Sequence, residues 1–358
     1  MKKVFYLNLF ALCATGALSQ EPECRNWKLS GYAELYYSYD FNRPANHQQP
    51  GFLYSFNRHD EVNLNFGTVQ LRYEEGPVRG NFALMAGTYV TSNLAAESDG
   101  LKNVYEANAG IRLSKEHNIW LDAGIMPSHI GFESAMGASV PTLTRSIQAE
   151  NSPYFSTGIK LGYTSKNSRW TLNLYYLNGW QRIKRVDGST MPSFGHQLVF
   201  SPHSRVTINS SSFIGTDMPD SQRKMRYFHN FYAVFHPVED VVLTAGLDTG
   251  WQQAYKHSKS YDFWYSPVLV VSYLFSDKWS TTLRAESYVD EKGVIIRTET
   301  PNGFKTWGIS ANFDRKIGEK VLWRTEIRTL KSKDPVFSRS GRSVSSDLFA
   351  TTSIAIKF

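Results

Sequence analysis

Three ionisable side chains occupy every second position of one short stretch: Arg324, Glu326 and Arg328 in VLWRTEIRTL, residues 321–330. A two-residue spacing sets them in a row on one face of an extended strand, with Trp323, Thr325, Ile327 and Thr329 on the other. Arg284 and Glu286 repeat the arrangement upstream, and Glu34, Arg79, Glu106, Arg112, Asp122, Lys160 and Asp248 fall likewise on polar strand faces. Rows of mixed charge line water or pair with one another. The chemistry they offer is electrostatic handling of ions and polar solutes, without bond making.

Bond-making arrangements are missing from the sequence. The nine His are scattered, and His229 and His236 stand seven apart on one strand, hence on opposite faces. There is no G-x-S-x-G elbow and no His/Cys/carboxylate spacing suited to zinc or calcium. No catalytic residue, metal site or cofactor is expected, and the protein is not expected to be an enzyme. The excess of basic residues, 39 Lys and Arg against 32 Asp and Glu, is spread out with no basic tract, which argues against a nucleic-acid partner.

The elements that must hold these rows are strands. Trp27–Phe41 alternates cleanly, with Trp27, Leu29, Ala33, Leu35, Tyr37, Tyr39 and Phe41 against Lys28, Ser30, Glu34, Ser38 and Asp40. It matches the ~9–11 tilted residues that cross a bilayer. A polar link, Asn42–Arg58, follows. The second strand, near Glu61–Tyr73, changes parity around Gly67, which predicts a bulge. The third carries Val78, Phe82, Leu84, Ala86, Thr88 and Val90 on one face. The pattern continues to a last strand, Asp347–Phe358, whose residues Leu348, Ala350, Ile354 and Ile356 should face lipid. The count is about sixteen.

Connection lengths alternate. Short ones (Glu74–Pro77, Lys115–His117, Ser165–Ser168, Ser201–Ser204, Pro237–Asp240, Ser276–Lys278, Arg315–Lys320) take turns with long ones. Such alternation is the sequence image of periplasmic turns and extracellular loops on an all-β, up-and-down antiparallel transmembrane barrel. The abrupt terminal strand then finds shelter by pairing with the first. Mean hydropathy is −0.37, and no run of ~18 apolar residues exists for a helical span. Alternating strands need neither, and 20 Tyr, 22 Phe and 9 Trp suit aromatic girdles at two interfaces.

Charge held at mid-bilayer on the lipid face costs ~2–4 kcal/mol per Arg, so the charged rows are expected to line the lumen. Some sixteen strands leave room for water inside. The longest connection, Pro127–Pro153, carries His129, Glu133, Arg145 and Glu150; folded inward, it would narrow the passage.

At the N-terminus, Lys2 and Lys3 precede the mostly apolar Val4–Ala14, and Ala17 and Ser19 occupy small-residue positions before Gln20. This reads as a signal peptide over residues 1–19, ahead of a single barrel domain over 20–358. Cys13 would be removed with it, which leaves Cys24 without an intrachain partner.

SGYAELYYSYDFNRPANHQQPGF, WLDAGIMPSHIGFES, LNGWQRI, NSSSFIGTDMPDSQRKMRYFHNFY, YSPVLVVSY and TPNGF, in that order, resemble the OmpL-like β-barrel porins of Gram-negative outer membranes across essentially the whole mature chain. The resemblance implies an outer-membrane barrel. Phe358 resembles the terminal aromatic that the barrel assembly machinery is thought to read. The expected function is passive diffusion of small hydrophilic solutes with a weak preference for anions. The partners are then outer-membrane lipids, the assembly machinery and the solutes; a homo-oligomer follows only by analogy with general porins. The alternative is a non-conducting barrel acting as a surface adhesin or scaffold.

Overall fold

The computed structural model describes residues 26–358; the leader, its cleavage position and both cysteines lie outside the described residues. Sixteen strands close into one antiparallel barrel: β1 (Trp27–Asp40), β2 (Val62–Glu75), β3 (Val78–Ala86), β4 (Val104–Arg112), β5 (Asn118–Pro127), β6 (Phe155–Thr164), β7 (Trp170–Leu177), β8 (Ser193–His203), β9 (Val206–Gly215), β10 (Arg226–Val238), β11 (Val241–Gln253), β12 (Tyr261–Ser276), β13 (Trp279–Asp290), β14 (Phe304–Ile317), β15 (Val321–Ser332) and β18 (Ser346–Lys357). The short pair β16 (Phe337–Arg339) and β17 (Arg342–Val344) forms a hairpin within the last long loop. Every barrel strand pairs with its chain neighbour, and β18 closes on β1 from Tyr32↔Lys357 to Asp40↔Phe349. Closure leaves no unpaired edge.

Period-two alternation sorts the side chains. Leu29, Val69, Phe82, Ile111, Leu174, Phe231, Leu283, Ile309, Ile327 and Ile354 stand exposed on the outer surface. Their chain neighbours Gln70, Asn230, Arg284, Ser310, Glu326 and Ser353 are buried inside. An apolar exterior around a polar interior inverts a soluble protein and suits hydrocarbon outside with water or polar packing inside.

At the seam, Gly31 N donates to Phe358 O at 2.7 Å and Phe358 N donates to Gly31 O at 3.0 Å. The Phe358 ring lies in the space that a side chain at position 31 would need. Ser38 and Thr351 hydroxyls bond across the same seam at 2.8 Å.

Two local expectations are corrected, and the bulge expected in β2 is located. Thr88 and Val90 do not extend the third strand. Gly87 takes φ 131°, a conformation side chains disfavour, and the chain turns into a one-and-a-half-turn helix α1 (Thr88–Asn93) whose Tyr89 and Val90 are buried. The parity break of β2 lies at Asn65, ahead of Gly67: Leu35 opposes Leu64 while Glu34 opposes Phe66. Asn65 is held there by accepting from Phe56 N and donating to Glu34. The link 42–61 is more than a polar connection. Its Phe52, Leu53 and Phe56 are buried inside the barrel, Phe52 packing 4.7 Å from Phe304 and Phe56 edge-on to Tyr36.

Candidate functional site: a lumen filled from one side

The segment between β5 and β6 folds into the barrel and is stitched to the opposite wall. β13, β14 and β15 supply the anchors because their inward positions carry the charged rows. Arg324 grips Asp314 of β14 through two parallel bonds of 2.9 Å. Its remaining protons go to four backbone carbonyls of the loop, Gly137 (2.7 Å), Pro141 (2.9 Å), Val140 and Thr142 (3.1 Å each). Glu326 accepts from Thr144 N (2.6 Å) and Thr144 Oγ1 (2.8 Å). Glu286 accepts from Ile147 N at 2.7 Å, in the first turn of the short helix α2 (Ile147–Glu150). Arg284 donates to Thr142 Oγ1, Thr144 O and Glu326, and Arg328 to Arg145 O and Glu286. All six charged side chains are at most 8 % exposed, so this half of the wall touches the loop and not open water. Buried charges survive when they are paired, and here each guanidinium meets a carboxylate, although Nε of Arg284 and of Arg328 has no hydrogen-bond partner among the described residues.

The loop residues have distinct tasks. Arg145 folds back on its own segment, donating to the carbonyls of Ser134, Leu143 and Ala135. Glu133 accepts from both the backbone N and the hydroxyl of Ser146, the residue that caps α2. Glu150 accepts from Tyr54 N (3.1 Å) and Ser55 N (3.2 Å), tying the two inward loops together. Burial pushes both carboxyls above their ordinary range. His129 Nε2 donates to Ser212 O at 2.8 Å, and its ring stacks on Tyr175 at 4.1 Å. Burial lowers its pKa to about 4, so the ring is neutral near pH 7.

Space remains on the side of β1–β6. Towards the short turns lies a cavity of about 580 Å³, walled by Lys28, Arg72, Arg79 and Lys160 and by Glu74, Glu106 and Asp122. Arg79 holds Asp122 in a fork of 2.7 and 2.6 Å, and Lys160 Nζ stands 3.1 Å from the same carboxylate. Glu106 accepts from Gln70 at 3.0 Å. Arg79 and Arg112 both lie over the Trp120 ring, at 4.1 and 5.2 Å. Towards the long loops is a second cavity of about 310 Å³, floored by Glu150, Asn151 and Ser152 and flanked by Asp217 and Arg226. The two reach the same ladder at adjoining positions: Met126 and Pro127 line the first, Phe155 the second, and Pro127 pairs with Phe155.

The expected wall residues therefore divide into two groups. Arg79, Glu106, Asp122 and Lys160 come together around the first cavity, with Arg112 exposed beside Trp120. Arg284, Glu286, Arg324, Glu326 and Arg328 gather under the loop. Glu34 stands apart, bonded to Asn65 and pressed against Gly137, and Asp248 accepts from Asn230 at 2.6 Å. Sequence reasoning missed Asn312, whose Oδ1 receives Leu143 N at 3.0 Å, and Arg72, which joins the open cavity. Their inward parity within β14 and β2 was the available signal. No cluster of His, Cys, Asp and Glu among the described residues could hold a metal.

A sequence model of the family described as "Putative beta-barrel porin-2, OmpL-like" matches residues 26–358. No curated protein sequence matches the chain. Among solved structures, the anion-selective porin from Comamonas acidovorans is similar over 93 % of this chain and 99 % of its own, with TM-score 0.62 and 10 % identity. OmpF of Salmonella typhi in complex with daunomycin gives TM-score 0.63 at 10 % identity over 93 % and 98 %. The trimer form of OmpT from Vibrio cholerae gives 0.58 at 7 % over 93 % and 99 %. At such identities the likeness is one of fold.

Proposed function

The chain belongs to the OmpL-like β-barrel porin family, and on that premise we propose that it is a Gram-negative outer-membrane porin that passes small hydrophilic solutes passively. The observation that carries this reading is the charged cavity of about 580 Å³ left open along β1–β6 while the other wall is sealed. Solute would enter between the long loops, pass the narrowing at Met126 and Phe155, and reach the periplasm past Lys160, Asp122 and Arg79. Four basic against three acidic side chains around the cavity favour anions weakly, and the anion-selective Comamonas porin shares the fold. The absence of a catalytic constellation in the sequence is in keeping with a channel and gives no reason to propose an enzyme.

Placement in the outer membrane further implies export through the leader, with cleavage between Ser19 and Gln20, and recognition of Phe358 during assembly. N-terminal sequencing of the mature protein tests the first.

A second reading, a non-conducting barrel serving as adhesin or scaffold, draws support from the separation of the two cavities. Planar-bilayer recording distinguishes them. Discrete steps with a reversal potential of anionic sign in a salt gradient support the porin. Bilayer-inserted, heat-modifiable protein that carries no current under any ionic condition supports the scaffold.

A further inference from the structure

The outer surface carries one feature that a barrel surrounded only by acyl chains does not need. His196 of β8, Ser212 of β9, His229 of β10 and Thr249 of β11 stand opposite one another in successive ladders, forming a single row across four strands. They point outward, because their chain neighbours Ser211, Phe213, Phe228, Asn230 and Asp248 are buried in the lumen. On the same strands Phe194, Ile214, Tyr227 and Trp251 stand exposed on the loop side of the row, and Phe231 and Leu247 on the turn side. The row thus lies inside the apolar band, beneath its aromatic border.

Part of its hydrogen-bonding capacity is met internally. Ser212 Oγ bonds His196 Nδ1 at 2.6 Å, and Ser210 Oγ, one outward position away, bonds His196 Nε2 at 3.3 Å and His229 Nε2 at 2.9 Å. His229 Nδ1 and Thr249 Oγ1 hold no side-chain hydrogen bond among the described residues. Hydrocarbon can satisfy neither. The row has no Lys or Arg, so an anionic headgroup would find no counter-charge. What fits is a neutral polar surface presented at the same depth. Copies of one barrel inserted in one direction meet that requirement automatically. Any rotation axis along the membrane normal keeps the rows at one depth, a two-fold axis beside this face sets row against row, and both imidazole and hydroxyl can donate as well as accept. Ser210 and Ser212 are small beside their histidine neighbours, which lets a facing side chain approach β9.

We propose that the outward face of β8–β11 is the surface through which copies of this chain associate in the membrane, with the His196–Ser212–His229–Thr249 row as its polar centre. The proposal rests on the membrane-barrel reading but not on conduction.

The test uses the mature chain, residues 20–358, carrying Cys24→Ala, refolded into bilayers, with Ser212→Cys or, should that variant not fold, Thr249→Cys. Ile309→Cys, exposed on β14, is the comparison. Under copper-phenanthroline oxidation the row cysteine should give at least tenfold more cross-linked dimer than Ile309→Cys. His196→Leu/His229→Leu, which suits lipid as well as or better than the parent, should keep the heat-modifiable barrel and its bilayer current while shifting the species in native mass spectrometry to the monomer. Equal cross-linking at positions 212 and 309, an oligomer that survives the double leucine variant, or a parent that is monomeric with bound lipid would each overturn the interface. Failure of the parent to insert at all would overturn the membrane reading as well.

Discussion

Arg324→Ala should release one end of the inward loop without unfolding the barrel. The substitution removes a two-pronged ion pair to Asp314 and four bonds to the carbonyls of residues 137–142. It also strands Asp314, whose remaining side-chain partner is Asn312 at 2.6 Å. Breaking a buried pair on one side costs about 3–5 kcal/mol, and each 1.4 kcal/mol is a factor of ten. The undocked population of this segment should therefore rise by roughly two to three and a half powers of ten. The barrel itself keeps its closed ladder. A cysteine replacing the buried Val140, in the Cys24→Ala background, reports the change: its labelling by a water-soluble maleimide should accelerate about a hundredfold or more, since labelling follows the open population. Single-channel records should show a larger, noisier conductance. Arg324→Lys keeps the charge but not the fork and should fall between. Adding Asp314→Asn to Arg324→Ala removes the stranded carboxylate and should recover part of the loss. Labelling at position 140 that stays within about threefold of the parent, in a folded Arg324→Ala barrel, would refute the anchoring argument.

Other outcomes follow from the same geometry. Lys160→Glu turns the four-to-three balance around the open cavity to the opposite sign, so the reversal potential in a salt gradient should change towards cations. The His129 pKa of about 4, against 6.5 when unfolded, means the unfolded chain binds the extra proton between those values. Its contribution is whole above pH 6.5 and is lost as pH falls towards 4, about 2 kcal/mol at pH 5. The midpoint of heat modifiability should therefore drop less between pH 7.5 and 5 in His129→Phe, which keeps the stack on Tyr175, than in the parent; equal drops would contradict the burial argument. Gly31→Val should block barrel closure by meeting the Phe358 ring, and Phe358→Ala in the same chain should restore the heat-modifiable form in refolding from urea. Glu150→Ala frees Tyr54 N and Ser55 N and should loosen the first inward loop, read as faster proteolysis near Phe52.

The barrel was legible because its code is local: apolar–polar alternation at period two, and connections that alternate short and long, mark sixteen strands one at a time. What alternation reports is parity, and parity distinguishes inside from outside but not wet from dry. Arg324 and Lys160 have the same inward sign in the sequence. One is sealed under a loop and the other faces open space, and the difference lies in where residues 127–153 come to rest, a contact between segments nearly two hundred residues apart at Arg324 and Gly137. The loop 42–61 was opaque for a related reason. Its buried FLYSF core is flanked by Pro, Asn and Gln that read as surface, whereas inside the barrel Ser38 and Ser92 bond the flanking Gln49 and Asn57, and Glu150 and Asn65 satisfy the backbone of Tyr54 and Phe56 in the core itself. The polar row outside β8–β11 could be seen in neither composition nor spacing, since it takes four registers to align it.

The seam between β1 and β18 has a kinetic consequence. Every other ladder of the barrel joins neighbours in the chain and can form as a hairpin or over one loop. This one joins Tyr32 to Lys357. Closed directly from the flexible chain, so long a segment would cost roughly 4 kcal/mol more chain entropy than a four-residue turn, so the ladders between chain neighbours form first and this contact, of the highest sequence separation in the fold, forms late. Until it forms, two complete strands offer their unpaired amides and carbonyls to hydrocarbon. The slow step in the birth of this protein is then the joining of its two ends, and an aid to folding acts best by shielding those two edges until they meet.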